Sequence, residues 1–105
     1  MSITLHNLRN IKPSTDYDFR VDRTSPVGNP FQLTHEGLRD EVCDQYDTYF
    51  DGMIRRDDPL FVAYLDCLLN AYRLHGRLRL FCWCTPSRCH GETVVKYISK
   101  ILGIH

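Results

Sequence analysis

No stretch of this sequence is long and apolar enough to cross a bilayer, and its opening residues, MSITLHNLRN, lack the apolar core of a secretory signal. A cytoplasmic location is therefore the expectation, with no membrane partner. The chain also lacks a Walker-type lysine loop and any G-x-G-x-x-G run, which removes the standard mononucleotide and dinucleotide fingerprints. Net charge is missing too: 13 Lys and Arg balance 13 Asp and Glu. Proteins that grip duplex nucleic acid without regard to sequence are usually basic overall, so duplex nucleic acid is not an expected partner. With no internal repeat, low-complexity tract or linker, the 105 residues read as one domain, 1–105, with a single core.

The charge that is present is unevenly placed. Residues 36–66 hold nine acids against three Lys or Arg, whereas residues 67–105 hold six Lys or Arg against one acid. Within the basic third, the stretch from Arg77 to Gly91 carries three of the five cysteines, and the surrounding excess of cations favours an anionic ligand. Five is an odd number of cysteines, and in a reducing compartment they are expected as thiols.

Apolar patterning supplies the elements. Leu78, Leu80, Phe81, Cys82 and Trp83 form a nearly continuous apolar run, the pattern of a central strand buried on both faces. Ile3 to Leu8 alternates as a first strand, and Tyr17, Phe19 and Val21 alternate with Asp18, Arg20 and Asp22 as a second, whose charged face suits a sheet edge. Thr34 reads as the cap of an amphipathic helix carrying Leu38, Val42, Tyr46, Tyr49 or Phe50, and Met53. Asp58 then caps a second helix with Pro59 at its first position, ended by Gly76. Cys67 within that helix reads as a small core filler. A third helix runs from Gly91 to Leu102. The order β-β-α-α-β-α predicts one layered α/β domain with a short, largely parallel sheet, in two or three layers.

Two loops break the pattern. In Arg23 to Phe31, RTSPVGNPF, the Ser25-Pro26-Val27-Gly28 segment predicts a tight turn with Gly28 at positive φ, and Asn29, extended before Pro30, is expected to aim its amide outward. The other loop, Cys84 to Gly91, follows the central strand and opens the last helix, the position at which open α/β sheets hold ligands.

Together, Ser25-Pro26-Val27-Gly28-Asn29-Pro30-Phe31 and Cys82-Trp83-Cys84-Thr85-Pro86-Ser87-Arg88-Cys89-His90-Gly91 resemble the paired signature, S-P-x-G-N-P-F and C-x-C-x-P-x-x-C-H-G, of an uncharacterised family of small bacterial and bacteriophage proteins catalogued as domain of unknown function 4326. The resemblance implies a compact Rossmann-like fold and a phage origin, and it implies no activity.

Three chemistries suit the cysteine loop. Zinc would draw on Cys82, Cys84, Cys89 and His90, but adjacent Cys89 and His90 rarely reach one ion together, and no cofactor is expected. Thiol chemistry would use the C-x5-R spacing from Cys82 to Arg88, as in cysteine phosphatases and sulfurtransferases, or Cys89 at a helix start. The favoured reading is a pocket between the two loops for a nucleotide, nucleobase or other phosphate-bearing ligand. Arg23 and Arg88 would hold negative oxygen, with Ser25, Asn29 and Cys84 in the lining. Gly28 and Gly91 would allow close backbone approach, Pro86 would help set the path of the loop, and His90 with Cys89 would be the catalytic candidates. A host protein is the alternative partner, with Tyr46, Tyr49, Phe50 and Tyr64 as anchors if exposed.

Overall fold

The computed structural model describes residues 2–85 and 87–104. Its order is β1 (Ser2–Asn7), β2 (Asp18–Arg20), α1 (Arg39–Arg55), α2 (Pro59–His75), β3 (Arg77–Cys82) and α3 (Gly91–Leu102). The three strands form one parallel sheet in the order β1-β3-β2. The apolar run is thus the centre of the sheet, and the charged second strand is an edge.

Parallel pairing fixes what each face carries. Along β3, Leu78, Leu80 and Cys82 point into the core with Ile3 and Leu5 of β1 and Phe19 of β2, where Leu65 and Leu68 of α2, Val94 and Ile98 of α3, and Tyr46 and Phe50 of α1 meet them. The alternate residues Arg77, Arg79 and Phe81 face the other way. Asp18 lies opposite Arg79 in register and takes its guanidinium through two contacts of 2.6 and 2.7 Å. Phe81 is fully buried on that side, with the His6 ring stacked on it at 5.4 Å and the Arg79 guanidinium over it. The helices therefore share one face of the sheet, in two layers.

Local chemistry explains most boundaries. Asp58 accepts the Phe61 amide at 3.1 Å, Pro59 occupies the first turn of α2, and Gly76 closes the helix at φ 72°. The start of α1 differs from expectation. Thr34 is no cap; a 3-10 turn, Glu36–Leu38, precedes the helix, with the Glu36 carboxylate on the guanidinium of Arg39. Cys67 is exposed rather than a core filler. Tyr46 and Phe50 are core residues, and Tyr49 and Tyr64 pack against the same cluster, so the four do not form an exposed anchor patch. No helix among the described residues is long and apolar enough to cross a membrane.

Candidate functional site

Both loops leave the same end of the sheet, because parallel strands bring all carboxyl ends to one edge. Val21 still pairs with the sheet, its amide donating to Phe81 O at 2.9 Å, and the chain then makes two successive turns, Ser25 N to Asp22 O at 2.9 Å and Gly28 N to Ser25 O at 3.1 Å. Gly28 does not have the positive φ expected of it. Its requirement is proximity: a Cβ there would lie 2.5 Å from Asp22 O and 2.6 Å from Arg23 Cα. The close approach is to the protein's own backbone. Gly91 is similar, since a Cβ would meet Leu5 Cδ2 at 2.9 Å.

A cavity of about 440 Å³ lies where the loops converge, within the range of small-ligand pockets. The first loop contributes Asp22, Arg23, Thr24, Asn29, Phe31 and Leu33, the second Trp83, Cys84, Arg88, Cys89 and His90, and α1 closes the space with Arg39, Val42 and Cys43. Of the residues singled out from sequence, Arg23, Asn29, Cys84, Arg88, Cys89 and His90 are in this wall, whereas Ser25, Gly28 and Gly91 are not. Pro86 falls outside the described residues.

Several of those side chains have other work than expected. Arg88 turns onto the acidic face of α1, donating to Asp40 at 3.0 Å and Asp44 at 2.8 Å, so its charge is already compensated. Cys82 is fully buried, and the pair cannot form an open C-x5-R cradle. The start of α3 is likewise satisfied from within: Glu92 accepts the Cys89 amide at 3.1 Å, which places a carboxylate where an anion was expected. Ser25 Oγ returns to Asp22 O at 2.9 Å.

Asn29 faces inward rather than outward. It is buried, and its Oδ1 accepts the Phe31 amide at 2.9 Å. Because that donor is a backbone N–H, the oxygen is identified, and Nδ2 makes no hydrogen bond among the described residues. A donor is left over at the cavity.

The same logic sets the tautomer of His90. Its Nε2 meets Val21 O, a group that only accepts, so Nε2 carries the proton and Nδ1 is the lone-pair nitrogen, 3.8 Å from Cys89 Sγ. Burial pushes the imidazole pKa down, which keeps the ring neutral. Both nitrogens are engaged within the protein. His90 therefore ties the second loop to Val21, with its Nδ1 lone pair turned to the Cys89 thiol.

Sequence reasoning missed three residues that matter more. Asp22, 4% exposed, accepts from Arg20, from Thr24 Oγ1 at 2.6 Å and from Trp83 Nε1 at 2.9 Å, and these bonds hold its carboxyl below its ordinary pKa against burial. Trp83 is half-exposed at the cavity with its N–H fixed by that bond. Arg39 is held by Glu36 and by Arg88 O at 2.9 Å, and it lines the cavity together with Cys84. The only sequence signal for Arg39 was a lone cation among the acids that open α1.

Three sulfurs gather beside it. Cys82 and Cys89, the latter 2% exposed, belong to the core cluster against which Cys84 packs, and Gly91 N approaches Cys89 Sγ at 3.4 Å. The Cys89 S–H and the Arg39 guanidinium together hold the Cys84 thiol well below its usual pKa, while Cys89 itself stays protonated. Cys89 lowers the pKa of Cys82 as well, and of the two the Arg39 guanidinium adds to the effect at Cys84 alone.

Comparison with known proteins is narrow. The profile of a family described as domain of unknown function (DUF4326) matches residues 6–100. No curated protein and no solved structure matches the chain.

Proposed function

The chain belongs to the DUF4326 family, whose description assigns no activity, and we propose from the site's geometry that its cavity binds a small anionic ligand with a planar aromatic part, of the nucleotide class. The observation that carries this reading is the composition of one wall. Four guanidinium groups, from Arg20, Arg23, Arg39 and Arg88, and a single carboxylate, Asp22, border a space also lined by Trp83 and Phe31. Asp22 and Arg20 neutralise each other, and Arg88 is turned to α1. Arg23 has no carboxylate partner among the described residues; its NH2 donates only to Phe31 O, at 3.0 Å. Arg39 is paired with Glu36, so a phosphate on Arg23, a base against Trp83 and Phe31, and an acceptor edge on Asn29 Nδ2 would use the groups left over by the fold.

The test is thermal unfolding and calorimetry with nucleoside monophosphates, the matching nucleosides and inorganic phosphate. A ligand about tenfold above its Kd adds about 1.4 kcal/mol, which raises the Tm of a domain this size by about 6 °C. Monophosphates should exceed both nucleosides and phosphate alone. Arg23→Gln and Trp83→Leu should remove the effect, and Arg88→Ala should retain it. A flat response across the panel at millimolar ligand would sink the reading.

A further inference from the structure

The three gathered thiols ask for a different chemistry from ligand binding. Of the five cysteines, Cys67 is exposed on α2, Cys82 is enclosed in the core, and Cys43 is buried with its thiol turned to Arg88 O at 3.8 Å. Cys84 alone in the trio is partly open, and it shares the cavity wall with Arg39 and with the buried Cys89, against whose cluster it packs. One cavity wall thus holds a cation, a partly open thiol and a buried thiol. We propose that Cys84 is a nucleophilic thiol and Cys89 its resolving partner, so that a small hydroperoxide entering the cavity converts the pair into a disulfide.

The steps balance without a further reactant. The Cys84 thiolate sulfur attacks the distal oxygen of the hydroperoxide; the O–O bond breaks, the leaving alkoxide or hydroxide takes a proton from solvent, and Cys84 becomes a sulfenic acid. Cys89 then loses its proton to Nδ1 of His90, 3.8 Å away, and attacks the Cys84 sulfur. The S–O bond breaks, the departing hydroxide takes that proton as water, and the S–S bond forms. Two electrons pass from the thiols to the peroxide. An external dithiol reverses the change.

Arg88 lies between the two cysteines, so trypsin separates a peptide carrying Cys82 and Cys84 from one carrying Cys89. The experiment treats fully reduced protein with one equivalent of hydrogen peroxide and no nucleotide, blocks free thiols with iodoacetamide, and maps the products by mass spectrometry. A Cys84–Cys89 link is expected while Cys67 remains alkylated. In Cys89→Ser, dimedone should trap a sulfenic acid on Cys84. Should that buried change prevent folding, Arg39→Gln gives a second reading, with alkylation of Cys84 slowed by about tenfold. Three results overturn the proposal: Cys84 reacting no faster than Cys67, a link formed through Cys82, or thiols that react only after a chelator is added. Because no nucleotide is present, failure here is separate from failure of the binding reading.

Discussion

The indole N–H of Trp83 donates to the Asp22 carboxylate over 2.9 Å, and this single bond ties the loop after β2 to the loop after β3. Asp22 is buried while Trp83 is half-exposed, so the charged member is the one that depends on its partners. Asp22→Ala would remove the acceptor of three side-chain donors, and a loss of about 2 kcal/mol is expected. Trp83→Phe keeps most of the ring and should lose about 1 kcal/mol. Urea midpoints of the two variants check the order; equal midpoints would mean that the bond does not hold the loops together.

Glycine substitutions separate backbone crowding from side-chain crowding. Alanine at position 28 drives Cβ into main-chain atoms that cannot move independently, whereas at position 91 the nearest atom is the end of a flexible leucine. Gly28→Ala should cost about 2 to 3 kcal/mol, and Gly91→Ala distinctly less. The reverse ranking in thermal melts would show that the first loop is softer than its contacts imply.

His90→Ala should destabilise the protein strongly, by about 2 to 3 kcal/mol, because it empties a buried ring site and strands the carbonyl of Val21. His90→Gln, which can still donate near that carbonyl, is expected to recover part of the loss. An Ala variant with an unchanged melting temperature would instead make His90 a ligand-facing group.

Acid should weaken the Asp18–Arg79 pair. The Arg79 guanidinium, followed by the amides of Ser14 and Thr15, holds the Asp18 carboxyl well below the usual carboxylate range despite its desolvation. A depressed folded pKa gives a contribution that is complete above the unfolded value of about 3.9 and is lost as pH falls below it towards the folded value. Asp18→Asn should therefore be less stable than wild type at pH 7, with the gap narrowing below about pH 4. Denaturant titrations of both proteins from pH 7 to pH 2 measure that gap, and a constant difference would show that the pair carries no such linkage.

Much of the fold was legible because its signals are local. The run from Leu78 to Cys82, the Asp58-Pro59 cap and Gly76 each act within a few residues and stand where the pattern put them, whereas Trp83, read as the buried end of that strand, lies beyond it and is half-exposed. The direction of Arg88 was not legible. The sequence displays a basic segment and an acidic helix as separate facts, and only packing α1 beside the second loop brings Arg88 to Asp40 and Asp44, 48 and 44 residues away. Asp22 was legible only in part: Arg20 and Thr24 lie two residues away, but Trp83, the partner that ties the two loops, is 61 residues on. Thr34 failed for another reason, since the Glu36–Arg39 contact draws the chain into a 3-10 turn that shifts the helix start past a plausible cap.

The strand order β1-β3-β2 has a consequence in time. The two early strands never touch each other as neighbours; each waits for β3, which emerges from the ribosome only after both helices between them have been made. Until residue 82 is available, the first seventy-six residues hold two edges and no sheet, and α1 with α2 must carry their apolar faces without a floor to rest on. A chain truncated before Arg77 thus loses more than its last elements, because it loses the only strand the others can recognise.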